Sequence, residues 1–430
     1  MDKLKNHLIG CDECGLITNV PLLSQAQTAQ CPRCGHTLTQ TPQKPYQTAV
    51  ALTISCLILL VLSLTFPFMS FSVQGMTQEI TLLNAAKMLG EFQNVLLAIL
   101  LFTTVILFPA LYITILLFVS FKAAQSTQRQ LSSSEIQRAK LLCKTLLTVQ
   151  PWLMVDVFLI GVLVSLIKIA SLAEVAMGYS FWAFCFFAML VVKTVSLVDR
   201  YWLWQHFIPA QTPQGVNAGQ THCTHNSVSC HTCQQINLLR PDQKKPTCLR
   251  CGSRLHAYHP QLNLQWAWAL LLAAIIFYIP ANLYPMMYTV SLGKSEGSTI
   301  MQGVIVLWQL GSYPVVMVIF VASIFIPMAK MFALGWLYWQ AGKLNVFPEQ
   351  QNLKRLKLYR VTEFIGRWSM IDIFVVAILV ALVQLHNLMA IYPGPAALSF
   401  AAVVILTMLS AMVFDSRILW QEPPVSHQQQ

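Results

Sequence analysis

Apolar runs of about 18 residues or more recur along this 430-residue chain, and each is long enough to cross a hydrocarbon core of about 30 Å as a helix. Transmembrane β-strands would instead show runs of about ten residues with period-two alternation, and that pattern is absent. Only 10% of the residues are charged, against roughly 25% in a soluble domain, and 56% are hydrophobic. Most of the chain therefore cannot be solvated surface. Eight spans are expected, at 48–69, 95–121, 152–172, 180–199, 265–286, 313–337, 370–391 and 396–414. The polar, cysteine-bearing first 47 residues do not read as a cleavable signal peptide.

The net charge of +11 is topological and not a nucleic-acid footprint. Segments 1–47, 122–151, 200–264, 338–369 and 415–430 hold 22 of the 27 Lys and Arg residues. The intervening loops hold only Lys87 and Lys294, and Lys168, Lys193 and Lys330 fall inside spans. The positive-inside rule then places both termini and the large polar segments in the cytoplasm.

The chain also repeats itself. Cys11 and Cys14 match Cys230 and Cys233, and Cys31 and Cys34 match Cys248 and Cys251. Pro67 matches Pro285, Pro109 matches Pro327, Trp152 and Asp156 match Trp368 and Asp372, and Asp199 and Trp204 match Asp415 and Trp420. The order is kept and the offset drifts only from 219 to 216, as duplication with small indels produces. The expected fold is an all-α polytopic membrane protein of two tandem parallel repeats, each a small cytoplasmic zinc ribbon of β-structure followed by four transmembrane helices. An even number of spans per copy gives the copies one orientation, related by a pseudo-two-fold axis along the membrane normal. The expected units are ribbon 1 at 1–47, a membrane module at 48–204, linker and ribbon 2 at 205–262, a second module at 263–420 and a disordered tail at 421–430. Leu82, Ala86, Leu89 and Phe92, like Ile300, Val304, Leu307 and Leu310, have helical apolar spacing and predict an interfacial helix after the first span of each copy. Pro67 and Pro285 are expected to end or kink those first spans.

The strongest chemical motif is Cys11-x2-Cys14-x16-Cys31-x2-Cys34, repeated as Cys230-x2-Cys233-x14-Cys248-x2-Cys251. Paired knuckles at this separation can set four thiolates tetrahedrally around one Zn2+. Because protein fills all four positions, the metal is expected to be structural and not catalytic. Iron in a rubredoxin-like site is not separable from zinc by spacing, and disulfide exchange is disfavoured in a reducing cytoplasm. Cys56, Cys143 and Cys185 read as small apolar fillers, and Cys223 with His222 and His225 as a linker.

Ionisable residues inside a membrane are expensive and so are functional candidates. Lys330 lies about 10 Å inside the sixth span at 1.5 Å per residue, and its counterpart in the first copy is Tyr112. Asp372, near the cytoplasmic end of the seventh span, is a candidate partner. Ser323 lies two turns away on the same face, and Pro327 frees a backbone carbonyl. Lys330, Asp372, Ser323 and Pro327 therefore form the expected substrate pocket, with a snorkelling lysine and interfacial aspartates as the plain alternative. Asp199 with Trp204, and Asp415 with Arg417 and Trp420, read as interfacial anchors with aromatic rings at the headgroups. No P-loop, GxSxG, HExxH or Rossmann glycine pattern occurs in a suitable context, so no enzymatic activity is expected.

The tandem CxxC pairs, four spans per copy, the Pro-Met-Ala-Lys stretch ending at Lys330 and the Asp-x-Arg-x-x-Trp end at 415–420 resemble the paraquat-inducible protein A family. Within it, the pattern looks most like the LetA (YebS-like) members. The first copy departs from the pattern at Asp199-Arg-Tyr-Trp202 and at Tyr112. The resemblance implies a Gram-negative inner-membrane component that moves phospholipid, working with a mammalian-cell-entry (MCE) domain partner that forms a tunnel across the periplasm. Two other readings stay open from the residues: a proton- or ion-coupled small-molecule transporter using Lys330 and Asp372, and a zinc-stabilised membrane scaffold or sensor.

Overall fold

The structure, a computed structural model, describes residues 7–21, 23–24, 27–41, 45–73, 76–91, 95–126, 132–170, 174–211, 213–221, 227–239, 246–255, 259–291, 294–309, 311, 313–343, 348–382, 384–385 and 389–420. The chain is mostly helical. Seven helices among the described residues are long and apolar enough to cross a membrane: Gln47–Thr65, Ala98–Ala124, Ser133–Leu166, Tyr179–Leu197, Pro260–Leu283, Val321–Gly342 and Pro395–Val413. The expected span at 370–391 is different. There the helix Ile371–Leu382 has 12 residues, about 18 Å at 1.5 Å per residue and too short to cross alone. Polar Gln384, His386 and Asn387 break the apolar run, and the chain turns into strands Gln384–Leu385 and Met389–Pro393.

The first spans end where the prolines require, at Thr65 before Pro67 and at Leu283 before Pro285. Beyond the prolines the all-α expectation is corrected, because the loops that follow the first spans are β-hairpins. Strands Met69–Val73 and Met76–Ile80 pair, and Glu174–Met177 adds to the first of them as a third strand. In the second half Met287–Ser291 pairs with Lys294–Ser298 and with Met389–Pro393, to which Gln384–Leu385 adds. Each sheet ends at a glycine. A Cβ on Gly178 would lie 2.0 Å from the Pro67 carbonyl oxygen, and one on Gly394 would lie 2.0 Å from that of Pro285. The two glycine amides donate instead to the Phe68 and Met286 carbonyls at 3.1 and 2.8 Å. Only a residue without a side chain allows this backbone approach.

Helices Leu82–Glu91 and Ile300–Gln309 stand where the apolar stripes predicted them, with Leu82, Ala86, Ile300 and Val304 buried. In each half the next membrane helix contains a π-helical turn, Phe102–Leu107 and Val321–Phe325, immediately before Pro109 and Pro327. A proline removes one backbone donor, and a π-turn is one way a helix re-registers around the gap.

The third span, Val155–Ala170, packs on Ile371–Leu382 at the seam between the halves. The Phe158 and Phe374 rings meet edge to face at 5.5 Å. A Cβ on Gly161 would come within 3.0 Å of the Phe374 Cβ, and Ser165 Oγ donates to the Val375 carbonyl at 3.4 Å. The basic segments 122–151 and 338–369 contain helices, Ser133–Val149 and Glu349–Trp368. The first is started by Glu135, whose carboxylate accepts from the Ser132 amide at 3.1 Å.

Candidate metal centres and a buried lysine

Each cysteine quartet converges. Strands His7–Gly10 and Ile17–Val20 flank the first knuckle of ribbon 1, and Thr28–Gln30 and Thr37–Gln40 the second. The sulfurs of Cys11 and Cys34, and of Cys14 and Cys31, are 3.5 Å apart. In ribbon 2, where Ser227–Ser229 pairs with Ile236–Leu238, the Cys230–Cys251 and Cys233–Cys248 separations are also 3.5 Å. All four sulfurs of each site lie within 4.8 Å of one another, and all are free thiols. Thiolates at about 2.3 Å from a tetrahedral ion are about 3.8 Å apart, so both quartets fit Zn2+ or a similar soft ion. Hydrogen bonds from neighbouring thiols hold Cys31 and Cys251 below the ordinary thiol range, whereas those made by Cys11 and Cys233 raise them. Cys34 and Cys248 are lowered in the same way and Cys14 and Cys230 are raised, so each quartet divides two against two, a conflict that a cation shared by all four sulfurs would remove. Three knuckle turns place glycine at positive φ, at Gly15, Gly35 and Gly252, while the fourth uses Gln234 at φ 57°. Gln234 reaches across to ribbon 1, its Nε2 donating to Asp12 at 3.3 Å. Cys223, His222 and His225 lie outside the described residues.

The ends of the last spans do not act as headgroup anchors. Trp204 and Trp420 are buried, and Trp420 and Tyr201 seat the ribbons. Arg33 of ribbon 1 stacks over Trp420 at 4.6 Å, and its repeat counterpart Arg250 of ribbon 2 stacks over Tyr201 at 5.5 Å. Ribbon 1 is thus docked on the end of the second half. Glu13 accepts from Arg360 Nε at 3.0 and 3.2 Å and pairs with His36 at 3.2 Å, and Arg360 Nη2 reaches the Cys34 carbonyl at 3.1 Å. Ser416 Oγ donates to the Glu13 carbonyl. Burial pushes the Glu13 carboxyl up, but its hydrogen bonds with His36 and Arg360 outweigh that and hold it below the ordinary range. The same carboxylate raises His36 against the effect of burial. Ribbon 2 sits on the end of the first half. Arg250, almost fully buried, donates to the Ile208 and Cys233 carbonyls and to Gln205 at 2.8, 2.9 and 3.2 Å. Asp415 does hold Arg417 as expected, at 2.8 and 3.1 Å, while Asp199 accepts from Thr39 and Gln40 of ribbon 1. Between the ribbons and the span ends lies a cleft of about 1030 Å³, whose lining includes Asp12, Asp199, Arg200 and His231.

Lys330 is 3% exposed. Its Nζ donates to Thr407 Oγ1 at 2.9 Å, and that hydroxyl donates in turn to the Val404 carbonyl at 3.0 Å. The partner the sequence did not reveal is thus a threonine of the last span. Ser323 is on the π-turn and lines a mostly apolar cavity of about 110 Å³ with Ile160, Met286, Ile300 and Val375, a group that does not include Lys330. Pro327 stands one residue into the helix that follows the π-turn. Asp372 belongs to the first turn of Ile371–Leu382, and its side chain lies outside the described residues. Lys193 is exposed on its span, and the Lys168 side chain is not among those described.

Comparison with known proteins agrees with this architecture. A family model described as "Paraquat-inducible protein A" matches twice, at residues 46–208 and 264–423. The chain is 40% identical to the intermembrane transport protein PqiA of Escherichia coli (strain K12) over 98% of its length and 97% of the relative. It is 30% identical to a probable intermembrane transport protein of Haemophilus influenzae, over 96% of both chains. With the lipophilic envelope-spanning tunnel protein A of Escherichia coli (strain K12) it shares 27% over 95% of this chain and 90% of the relative. The chain is thus similar to the LetA-type protein its motifs suggested, with higher identity to PqiA. No solved structure matches. Two family matches that between them take in nearly the whole membrane region, and full-length identity of 40%, place this chain in the paraquat-inducible protein A family.

Proposed function

We propose that this chain is the inner-membrane component of a phospholipid transport system of a Gram-negative envelope, working with an MCE-domain tunnel protein. The observation that carries the reading is near full-length similarity to proteins named for intermembrane transport, set beside a lysine buried within a helix able to cross a membrane. The chain is read as two tandem copies with eight spans, the seventh completed by segments beyond Ile371–Leu382, and with both termini cytoplasmic. Supporting the repeat are the double family match and the twin hairpins, glycines and π-turns. Each ribbon holds one structural Zn2+, through Cys11, Cys14, Cys31 and Cys34 and through Cys230, Cys233, Cys248 and Cys251. The ion supplies cross-linking of the ribbon and no reaction step.

Lys330 contacts the headgroup phosphate, with Asp372 as its partner, and Ser323 and Pro327 form the turn where the helix yields. The Lys330 ammonium exchanges its Thr407 hydrogen bond for phosphate oxygen. A cavity of about 110 Å³ is well below the 300–1,000 Å³ of ligand sites, so lipid entry requires the helices around the π-turn to part. Native mass spectrometry of the purified protein is expected to find co-purifying phospholipid. Lys330→Ala is expected to lose complementation of outer-membrane lipid integrity while accumulating normally with two zinc ions per chain. Full activity in that variant removes the pocket assignment, and a lipid-free, fully active protein removes the transport reading.

A further inference from the structure

We infer that Gly366, in the last turn of helix Glu349–Trp368, is a positioning residue that gives the Lys330 ammonium its place. The inference rests on the reading of Lys330 as the headgroup contact. A buried ammonium is tolerable only where its donors and charge are answered. One side of Lys330 is answered by the Thr407 hydroxyl. The other side abuts the last turn of Glu349–Trp368, the negative pole of the helix dipole.

Gly366 is the residue at that contact. A Cβ placed on it would lie 3.2 Å from Lys330 Nζ and 3.4 Å from Cε. Among the described residues, no other atom beyond the helix's own neighbourhood comes within 4 Å. Its backbone is ordinary helix and is not among the glycines at positive φ. Nothing in the local conformation therefore requires glycine, and alanine is the better helix former there. The space that glycine leaves is filled by the end of the lysine. A methyl group would press the ammonium away from the helix end, and Thr407 at 2.9 Å on a packed neighbouring helix leaves it little room to retreat.

The first half supports the same pairing by contrast. At the repeat positions of Lys330 and Gly366 stand Tyr112 and Gln150, so that where the cation is missing the glycine is missing too. The Tyr112 hydroxyl and Gln150 Oε1 are both buried without a hydrogen-bond partner among the described residues. The glycine accompanies the lysine and not the helix end as such. Six residues before Gly366, Arg360 fastens the same helix to Glu13 of ribbon 1. The element that positions Lys330 is therefore itself held by a cysteine quartet that lies more than 300 residues away in sequence.

The test is a two-by-two set of full-length proteins: the natural chain, Gly366→Ala, Lys330→Ala and the double variant, each purified in detergent. With Lys330 present, Gly366→Ala is expected to lower the melting temperature and to lose lipid-integrity complementation at normal accumulation. With Lys330→Ala the obstructing atoms are gone, and the same Gly366→Ala change is expected to raise the melting temperature by about 1–3 °C as a helix-favouring substitution. That reversal of sign is specific to contact with the lysine, and a merely structural glycine gives the same sign in both backgrounds. Equal signs, or full complementation by Gly366→Ala, overturn the inference. Full activity of Lys330→Ala alone overturns the headgroup reading instead, and the melting temperatures still decide whether Gly366 sets the lysine's position.

Discussion

Replacing Arg360 with alanine removes the strongest link between ribbon 1 and the second half of the chain. Its guanidinium gives Glu13 hydrogen bonds from Nε at 3.0 and 3.2 Å and another from Nη2, and gives the Cys34 carbonyl one at 3.1 Å. A hydrogen bond to a charged group contributes about 1.5–3 kcal/mol when shielded, and an exposed ion pair about 0.2–1 kcal/mol. The Arg360 side chain is 34% exposed and that of Glu13 16%, between those limits. Discounting for solvent, the loss is about 1–1.4 kcal/mol, which raises the undocked fraction of ribbon 1 roughly 5- to 10-fold. The assay is the rate at which a colorimetric chelator withdraws zinc from the purified protein. Two phases are expected in the natural chain, one per ribbon. Arg360→Ala should accelerate one phase roughly 5- to 10-fold and leave the other alone. Acceleration of both phases together, or of neither, refutes docking of ribbon 1 through this contact.

The repeat counterpart supplies the reciprocal result: Arg250→Ala, which removes three hydrogen bonds from a more deeply buried guanidinium, is expected to accelerate the other phase by a larger factor. Gly178→Ala and Gly394→Ala each force backbone apart from a proline carbonyl 2.0 Å away, so each should destabilise by about 3 kcal/mol or more and lower the detergent melting temperature. Docking of ribbon 1 should depend on pH at both ends. Glu13 titrates below its ordinary value, so its contribution is present above the ordinary carboxylate range and is lost as pH falls through the lowered value. His36 titrates above 6.5, so its contribution is complete below 6.5 and is lost as pH rises through the raised value. Zinc release from that phase should be slowest between the two, and Glu13→Gln should flatten the profile. For topology, a single cysteine near Lys294 should react with an impermeant thiol reagent on spheroplasts and one near Lys357 should not. The opposite pattern reverses the proposed orientation.

The cysteine quartets and most of the membrane helices were legible because both signals are local: ligand spacing in one case and uninterrupted apolarity in the other. The sheets beyond the first spans were not. Met69–Val73 alternates for only five residues, and its third strand, Glu174–Met177, lies about a hundred residues on, beyond any window of periodicity. The twin glycines at 178 and 394 were the available clue, since a residue without a side chain at the same repeat position twice marks a close backbone approach. Ile371–Leu382 read as part of a full span because 370–391 is apolar on average, although its polar residues cluster at one end. Thr407 was hidden as one of three hydroxyls in an apolar helix, 77 residues from Lys330, where only three-dimensional depth pairs them. Trp204 and Trp420 were misread because an aromatic beside a charged pair at a span end fits a lipid interface and a protein seat equally well, and only burial tells them apart.

The seat of ribbon 1 has a consequence for the order of assembly. Its contacts with Arg360 and Ser416 span 347 and 403 residues, close to the full length of the chain. The cysteine quartet of ribbon 1 is made before the membrane helices that follow it and has four candidate metal ligands within its own 24 residues. The surface it docks on does not exist until the last turns of the second half are in place. At about 5–20 residues per second, the ribbon waits on the order of 20–80 s before that surface appears. During that interval the proposed metal would be what keeps it folded. Ring closure between the first and last segments is consequently the final folding step. A chain that ends before Ser416 should insert its spans normally and still leave its N-terminal ribbon adrift.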